Sequence, residues 1–268
     1  MDDSNKEIQI YVVSHSEHDI KDIESNDIYV PLFVGRAGKD NLGFLSDDTG
    51  DNISDKNSSY CELTGLYWIW KNSTADVIGL AHYRRYFAKW KFGKRLERKD
   101  IEEILKDYDI ILPKKSDVLF GSVYEDYDHW NHIKDLDLCE DVIKEICPEY
   151  LENYKNVVNG KTLYGFNMFI AKKEIIDSYC EWVFPIITEV EKRVDMTGYT
   201  DYHKRLYGFL TERLFDVWMD KQNLKVKESD LKLKGLRLIV YMWFVKIPIV
   251  RWVYVHIYAG LFHKAMRR

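Results

Sequence analysis

Four cysteines in 268 residues, Cys61, Cys139, Cys147 and Cys180, fall without a single CxxC pair. The spacing of a zinc site and the density of a disulfide framework are therefore both missing, and a reducing compartment is expected. Equally absent are the phosphate-cradling loop of nucleotide hydrolases, a GxGxxG turn after the first apolar run and a GxSxG nucleophile elbow. Those absences remove weight from the corresponding enzyme classes. No internal repeat or low-complexity stretch occurs, and Met1 to Ile8 is polar and acidic, so no secretory signal is expected. What is present is a chain 46% apolar and 15% aromatic, enough for the core of one large α/β domain with an appendage.

Charge divides the chain unevenly. Residues 225–268 carry ten Lys and Arg against Glu228 and Asp230, a local +8, which leaves −13 for the remainder of a chain of net charge −5. An acidic body argues against nucleic-acid binding. The basic end is also strongly apolar from Leu236 to Phe262, with Trp243, Trp252, Tyr241, Tyr254 and Tyr258, yet Lys246 and Arg251 interrupt it. Those charges disfavour a bilayer span and predict an amphipathic helix in a membrane interface, facing anionic head groups; the alternative is a helix hairpin packed on the body or in a dimer interface.

Between these ends, strand and helix patterns alternate, which predicts a mostly parallel sheet in one α/β domain over residues 1–224. Apolar runs at residues 8–14, 27–35, 77–82, 108–113 and 163–171 are expected strands, although Pro31 argues against a regular central strand. Helices are expected over 57–71, capped through Ser59 and Glu62, and over 99–107, 173–193 and 203–221. Residues 36–57, rich in Gly, Asp and Asn, form a long loop, and 114–137 lacks clear periodicity and is expected as a mobile loop.

The densest chemistry follows the run Asp76 to Ala81, which stops in His82-Tyr83-Arg84-Arg85-Tyr86-Phe87. Ligands of open α/β sheets bind outside the carboxyl ends of strands, and adjacent arginines flanked by aromatics suit a planar ring carrying phosphates. The competing assignment is an arginine in a structural ion pair with Tyr86 and Phe87 as core. His15 and His82 could share a metal with Asp47 or Asp48, but no short-spacing ligand signature supports it. Asp107-Tyr108-Asp109 has the Asp-x-Asp pattern of metal-holding sugar-nucleotide enzymes but precedes a strand, so it reads as a helix terminus. If no metal neutralises a leaving diphosphate, Arg84 and Arg85 must. Glu212, beside Arg213 in an apolar segment, is a general base or half of a buried ion pair, with Asp126 and Asp128 as rival bases.

Five phrases, Gly50-Asp51-Asn52-Ile53-Ser54, Tyr60-Cys61-Glu62-Leu63-Thr64, Gly79 to Phe87, Asn167-Met168-Phe169-Ile170 and Gly208 to Leu214, together resemble a bacterial family of capsular, exopolysaccharide and O-antigen glycosyltransferases. That family, long catalogued as a domain of unknown function, includes galactofuranosyltransferases. The resemblance spans about residues 6–222. It implies a GT-A-like fold, a UDP-activated galactose donor with galactofuranose first and galactopyranose second, and transfer to a glycan. Carried over, His15, Val34, Asn52, Lys56 and Asn57 line the uridine and diphosphate side. His82, Tyr83, Arg84 and Arg85 lie beside the phosphates and sugar, Asp128 and Asn167 are expected toward the acceptor, and Glu212 is the base of an inverting enzyme. No metal cofactor is expected, with Mg²⁺ or Mn²⁺ as the alternative. The expected acceptor is a polyprenyl-diphosphate oligosaccharide, reached from the cytoplasmic face of the membrane through residues 225–268. A noncatalytic glycan- or nucleotide-binding subunit, and a retaining hexosyltransferase of the same fold, are the competing functions.

Overall fold

The computed structural model describes residues 6–90 and 93–234. In chain order its strands are β1 (Ile8–Ser14), β2 (Tyr29–Phe33), β3 (Leu45–Ser46), β4 (Val77–His82), β5 (Arg85–Ala88), β6 (Ile110–Pro113), β7 (Ser116–Asp117), β8 (Thr162–Leu163), β9 (Phe169–Lys172) and β10 (Val226–Leu233). Its helices are α1 (Glu17–Lys21), α2 (Asn57–Tyr60), α3 (Leu63–Asn72), α4 (Arg98–Asp107), α5 (Val123–Trp130), α6 (Ile133–Ile146), α7 (Leu151–Val158), α8 (Lys173–Arg193) and α9 (Leu206–Lys221). The main sheet runs β3-β2-β1-β4-β5-β10-β6-β9, and β9 also pairs with β4.

The sheet is mixed and not mostly parallel. β1 pairs in parallel with β2 and β4, as does β2 with β3 and β6 with β10, but β9 lies antiparallel to both β4 and β6, and β5 to β4 and β10. Two short excursions explain the antiparallel half. β5 returns straight from the end of β4 with His82 opposite Arg85, a turn too short for the crossover that parallel strands need. β10, from beyond residue 224, then closes the gap between β5 and β6. The domain boundary expected at 224 thus falls ahead of a strand of the main sheet, and the rest of the expected tail, from residue 235, lies outside the described residues.

β1 and β4 are buried along nearly their whole length because helices cover both faces. One core gathers α3, α6, α8 and α9 through residues such as Leu66, Val142, Val183 and Leu214, and the other sets Ile20 and Ile101 of α1 and α4 against Ile10, Ile28 and Phe87. Pro31 is accommodated inside β2: it lies beside Val12, and on its other side β3 pairs only with Leu32 and Phe33. Among the described residues no helix is long and apolar enough to cross a membrane.

Two expected elements are interrupted, and one expected loop holds regular structure. The helix expected over 57–71 breaks at Cys61, whose φ is +52°, so Ser59 ends up inside α2 and Glu62 stands at the start of α3 without a capping bond from its side chain. The strand expected over 163–171 is split by Phe166 and Asn167, at φ +77° and +49°. The segment 114–137 is not a loop but holds β7, α5 and the start of α6. Ser122 and Glu125 form a capping box for α5, and Val123 and Tyr127 are buried, so a short amphipathic helix was hidden by its dense polar residues.

The long loop after β2 is organised by one buried carboxylate. Asp47 accepts from Gly35 N at 2.8 Å, from Arg36 N at 3.2 Å and from the Ser54 hydroxyl, which pins both ends of the loop to the sheet. Removing such a group strands several buried donors, at a cost on the order of 3 kcal/mol. Asp47→Ala is therefore expected to lower the melting temperature by roughly 5–10 °C; an unchanged melt in differential scanning calorimetry would show that the loop is held by other contacts.

Candidate functional site

A cavity of about 570 Å³ opens at the carboxyl ends of β1 and β4. Ser14 ends β1 with His15 just beyond it, and His82 ends β4 with Tyr83 just beyond it; Arg85 enters from β5, Val34 from the end of β2, Asn57, Cys61 and Glu62 from the broken helix, Phe166 from the kinked turn, and Arg205 and Glu212 from α9 and the turn before it. The expected residues His15, Val34, Asn57, His82, Tyr83, Arg85 and Glu212 thus share one wall system.

The two adjacent arginines part company. Pairing of His82 with Arg85 across a two-residue turn puts both on one face, while Arg84 at the tip is half-exposed, 3.8 Å from Asp19 and stacked on the Tyr83 ring. Arg85 lies over the Phe166 ring at 4.2 Å. Burial lowers its pKa and the nearby Glu212 and Glu62 offset this, so the guanidinium remains charged.

The kinked turn serves both sides of the cavity. Phe166 N–H donates to Glu212 Oε1 at 2.9 Å, and Phe166 O lies 2.7 Å from His82 Nε2. A carbonyl only accepts, so Nε2 carries the hydrogen; burial holds the His82 pKa below its usual value, which leaves Nδ1 of a neutral ring as an acceptor. Glu212 Oε2 accepts from Arg213 Nη1 at 3.1 Å. Burial raises the Glu212 pKa, with Arg213 opposing and Glu62 reinforcing the shift. His15 is pushed down first by burial and then by Lys39 and Arg205, with Asp19 opposing and Arg84 adding less.

Other expected residues lie elsewhere. Asn52 accepts from Ser54 N and donates to Gly50 O, shaping the loop. Lys56 pairs with Glu191 at 2.7 Å. Asp126 accepts from Leu119 N and Phe120 N beside Arg213, and Asp128 is exposed on α5; neither lines the cavity. Asn167 is buried behind it and binds Glu62. Asp47 and Asp48 serve the loop, Asp48 through Arg36 and Ser46, so the pairing with His15 and His82 is not formed. α4 ends at Asp107, and Asp109 accepts from Lys225 N at 2.7 Å, away from the cavity. Among the described residues no group of three or more His, Cys, Asp or Glu could hold a metal ion.

Arg205 and Phe166 were not singled out from the sequence, and Cys61 and Glu62 were given no role in the site. Glu62 carried the appearance of a helix cap, and the role of Phe166 depends on a backbone angle that no residue pattern announces for a phenylalanine.

The family described as a domain of unknown function, DUF4422, matches residues 9–223. The chain belongs to this family. Among solved structures, the DUF4422 chain is similar to "WbbM bifunctional glycosyltransferase", in its apo form, at 32% identity and a TM-score of 0.77 over 86% of this chain. It spans 46% of that longer protein. No curated protein matches it. Every cavity residue lies within the DUF4422 match, whereas β10 follows it and still completes the sheet.

Cys61 gives the cavity a chemical reporter. Its thiol lies 3.3 Å from Arg205 Nε, yet burial pushes its pKa up to about 11 with Glu62 adding to the shift; the other three cysteines are buried. Since the thiolate is the reactive form, iodoacetamide labelling followed by intact mass should be slow at neutral pH and rise about tenfold per pH unit toward pH 11. Fast, pH-independent labelling near neutrality would contradict the buried environment.

Proposed function

We propose that this chain is a glycosyltransferase that moves a hexose, galactofuranose first and galactopyranose second, from a UDP-sugar to a hydroxyl of a growing lipid-linked surface polysaccharide. The observation that carries the proposal is one cavity at the strand ends whose wall contains both a half-buried, tethered carboxylate, Glu212, and two guanidinium groups, Arg85 and Arg205. Family membership and likeness to a bifunctional glycosyltransferase support the same class of chemistry.

In the proposed reaction Glu212 takes the proton of the acceptor hydroxyl as that oxygen bonds to the anomeric carbon from the face opposite the diphosphate. The bond between the anomeric carbon and the diphosphate oxygen breaks, its electron pair leaves with UDP, and configuration inverts. Arg85 and Arg205 meet the charge that develops on the departing diphosphate. Arg84, expected for this duty, is replaced by Arg205 because the hairpin turns Arg84 out toward Asp19. A metal ion, where glycosyltransferases of related fold use one, neutralises the same charge; the Asp107 and Asp109 pair lies away from the cavity, and no step here depends on it.

The neutral His82, with its acceptor nitrogen, is suited to binding a hydroxyl of the nucleotide or sugar, and Val13 and Val34 offer apolar contact to a base. The polyprenyl-diphosphate acceptor and attachment at the cytoplasmic membrane face rest on the basic, aromatic sequence after residue 234.

Glu212→Gln preserves shape and removes the base. It is expected to reduce kcat by about 10²–10⁴ while donor binding persists, in an assay of UDP release from UDP-galactofuranose and UDP-galactopyranose with acceptor. Glu212 must be deprotonated to accept the proton, and its raised pKa places the acid limb of kcat/KM above the ordinary glutamate range, with activity lost as pH falls through it. Wild-type turnover in the glutamine variant would sink the assignment and favour a noncatalytic binding role.

A further inference from the structure

The cavity wall carries guanidinium groups and carboxylates together, and this makes a prediction about a second carboxylate. His15 senses Lys39 and Arg205, with Asp19 opposing them and Arg84 adding less. Glu62 lies close enough to act on Glu212, both act on Arg85, and Arg205, which donates to the Cys61 thiol, senses Glu62 as well. A nucleotide sugar carries its charge on the diphosphate and its hydrogen-bond donors on the sugar. Its low-energy orientation in such a field sets phosphates at the cations and hydroxyls at the carboxylates, since a carboxylate against a diphosphate is repelled.

Glu212 has both oxygens engaged, by Phe166 N–H and Arg213. Glu62 is held differently. Its Oε1 accepts from Asn167 Nδ2 at 2.7 Å, and the same nitrogen reaches Thr211 Oγ1 at 3.3 Å and Gly208 O at 3.4 Å. Glu62 carboxylate and Gly208 carbonyl can only accept, so the amide is fixed with its nitrogen toward them. Thr211 agrees, because its own hydroxyl donates to Tyr207 O and Gly208 O. Asn167 is 4% exposed and sits at φ +49°, one residue after Phe166. A buried amide on a left-handed backbone therefore fixes one carboxylate oxygen on a cavity wall.

We infer that Glu62 reads the hydroxyls of the donor's sugar, and that Asn167 is the positioning residue that aims it. The inference rests on the UDP-sugar site proposed above and assigns within it the group that recognises the sugar. A carboxylate accepting from hydroxyls forms the stronger, charge-assisted kind of hydrogen bond, and discrimination by such a group exceeds what apolar contact can give.

The test is calorimetric titration of UDP, UDP-galactopyranose and UDP-galactofuranose into wild type, Glu62→Gln and Asn167→Ala, without acceptor. Glutamine keeps an oxygen for Asn167 and loses the charge. UDP affinity should stay within about threefold in Glu62→Gln, while the extra affinity conferred by the preferred sugar falls about tenfold. Asn167→Ala, checked for folding by its thermal melt, should lose the same sugar-dependent part. Loss of UDP and UDP-sugar binding in parallel, no change in either, or no sugar-dependent affinity in wild type would overturn the role of Glu62. A sugar-selective loss in Glu62→Gln with none in a folded Asn167→Ala would overturn the positioning role of Asn167. Failure of the wild type to bind any of the three would instead overturn the nucleotide-sugar site itself.

Discussion

Phe166 and Asn167 take left-handed backbone angles that cost non-glycine residues on the order of 1 kcal/mol each, and four walls of the cavity hang on them. Phe166 N–H holds Glu212, Phe166 O holds His82, its ring lies under Arg85, and the Asn167 amide holds Glu62. The turn joins β9 to the end of β4, to α9 and to the broken helix. Buried hydrogen bonds on both sides of it are what over-determine an otherwise unfavourable conformation.

That constraint also orders the electrostatics. Burial raises the pKa of the Glu212 carboxyl, and the arginine and the backbone N–H that hold it oppose the shift while the second carboxylate reinforces it. A histidine donating to a carbonyl stays neutral amid cations. The result is a cavity whose wall offers guanidinium groups to an anion and carboxylates to hydroxyls.

Sequence patterns reveal much of the frame. These patterns give α4 and α8 nearly to the residue, and the apolar run before His82 gives β4 and the place of the site at its end. The misses have definite causes. β5 and β9 are short, and their antiparallel pairing depends on turn length and on partners distant in the chain, so a mostly parallel sheet was expected in place of the mixed one. Cys61 and Phe166 break expected elements with positive φ at residue types that do not advertise it. Arg84 and Arg85 are indistinguishable as neighbours in a sequence; only the hairpin sends one inward and one out. Glu62 resembled a local cap because its true partner, Asn167, is 105 positions away.

The central claim, that a nucleotide sugar occupies this cavity, is tested most directly by a crystal structure of the chain with an intact UDP-sugar bound. The account predicts the diphosphate within hydrogen-bond distance of Arg85 and Arg205, and the sugar against Glu62 with its anomeric carbon turned toward the Glu212 side. A nucleotide bound outside the cavity, or one reversed so that its phosphates face the two carboxylates, would contradict it.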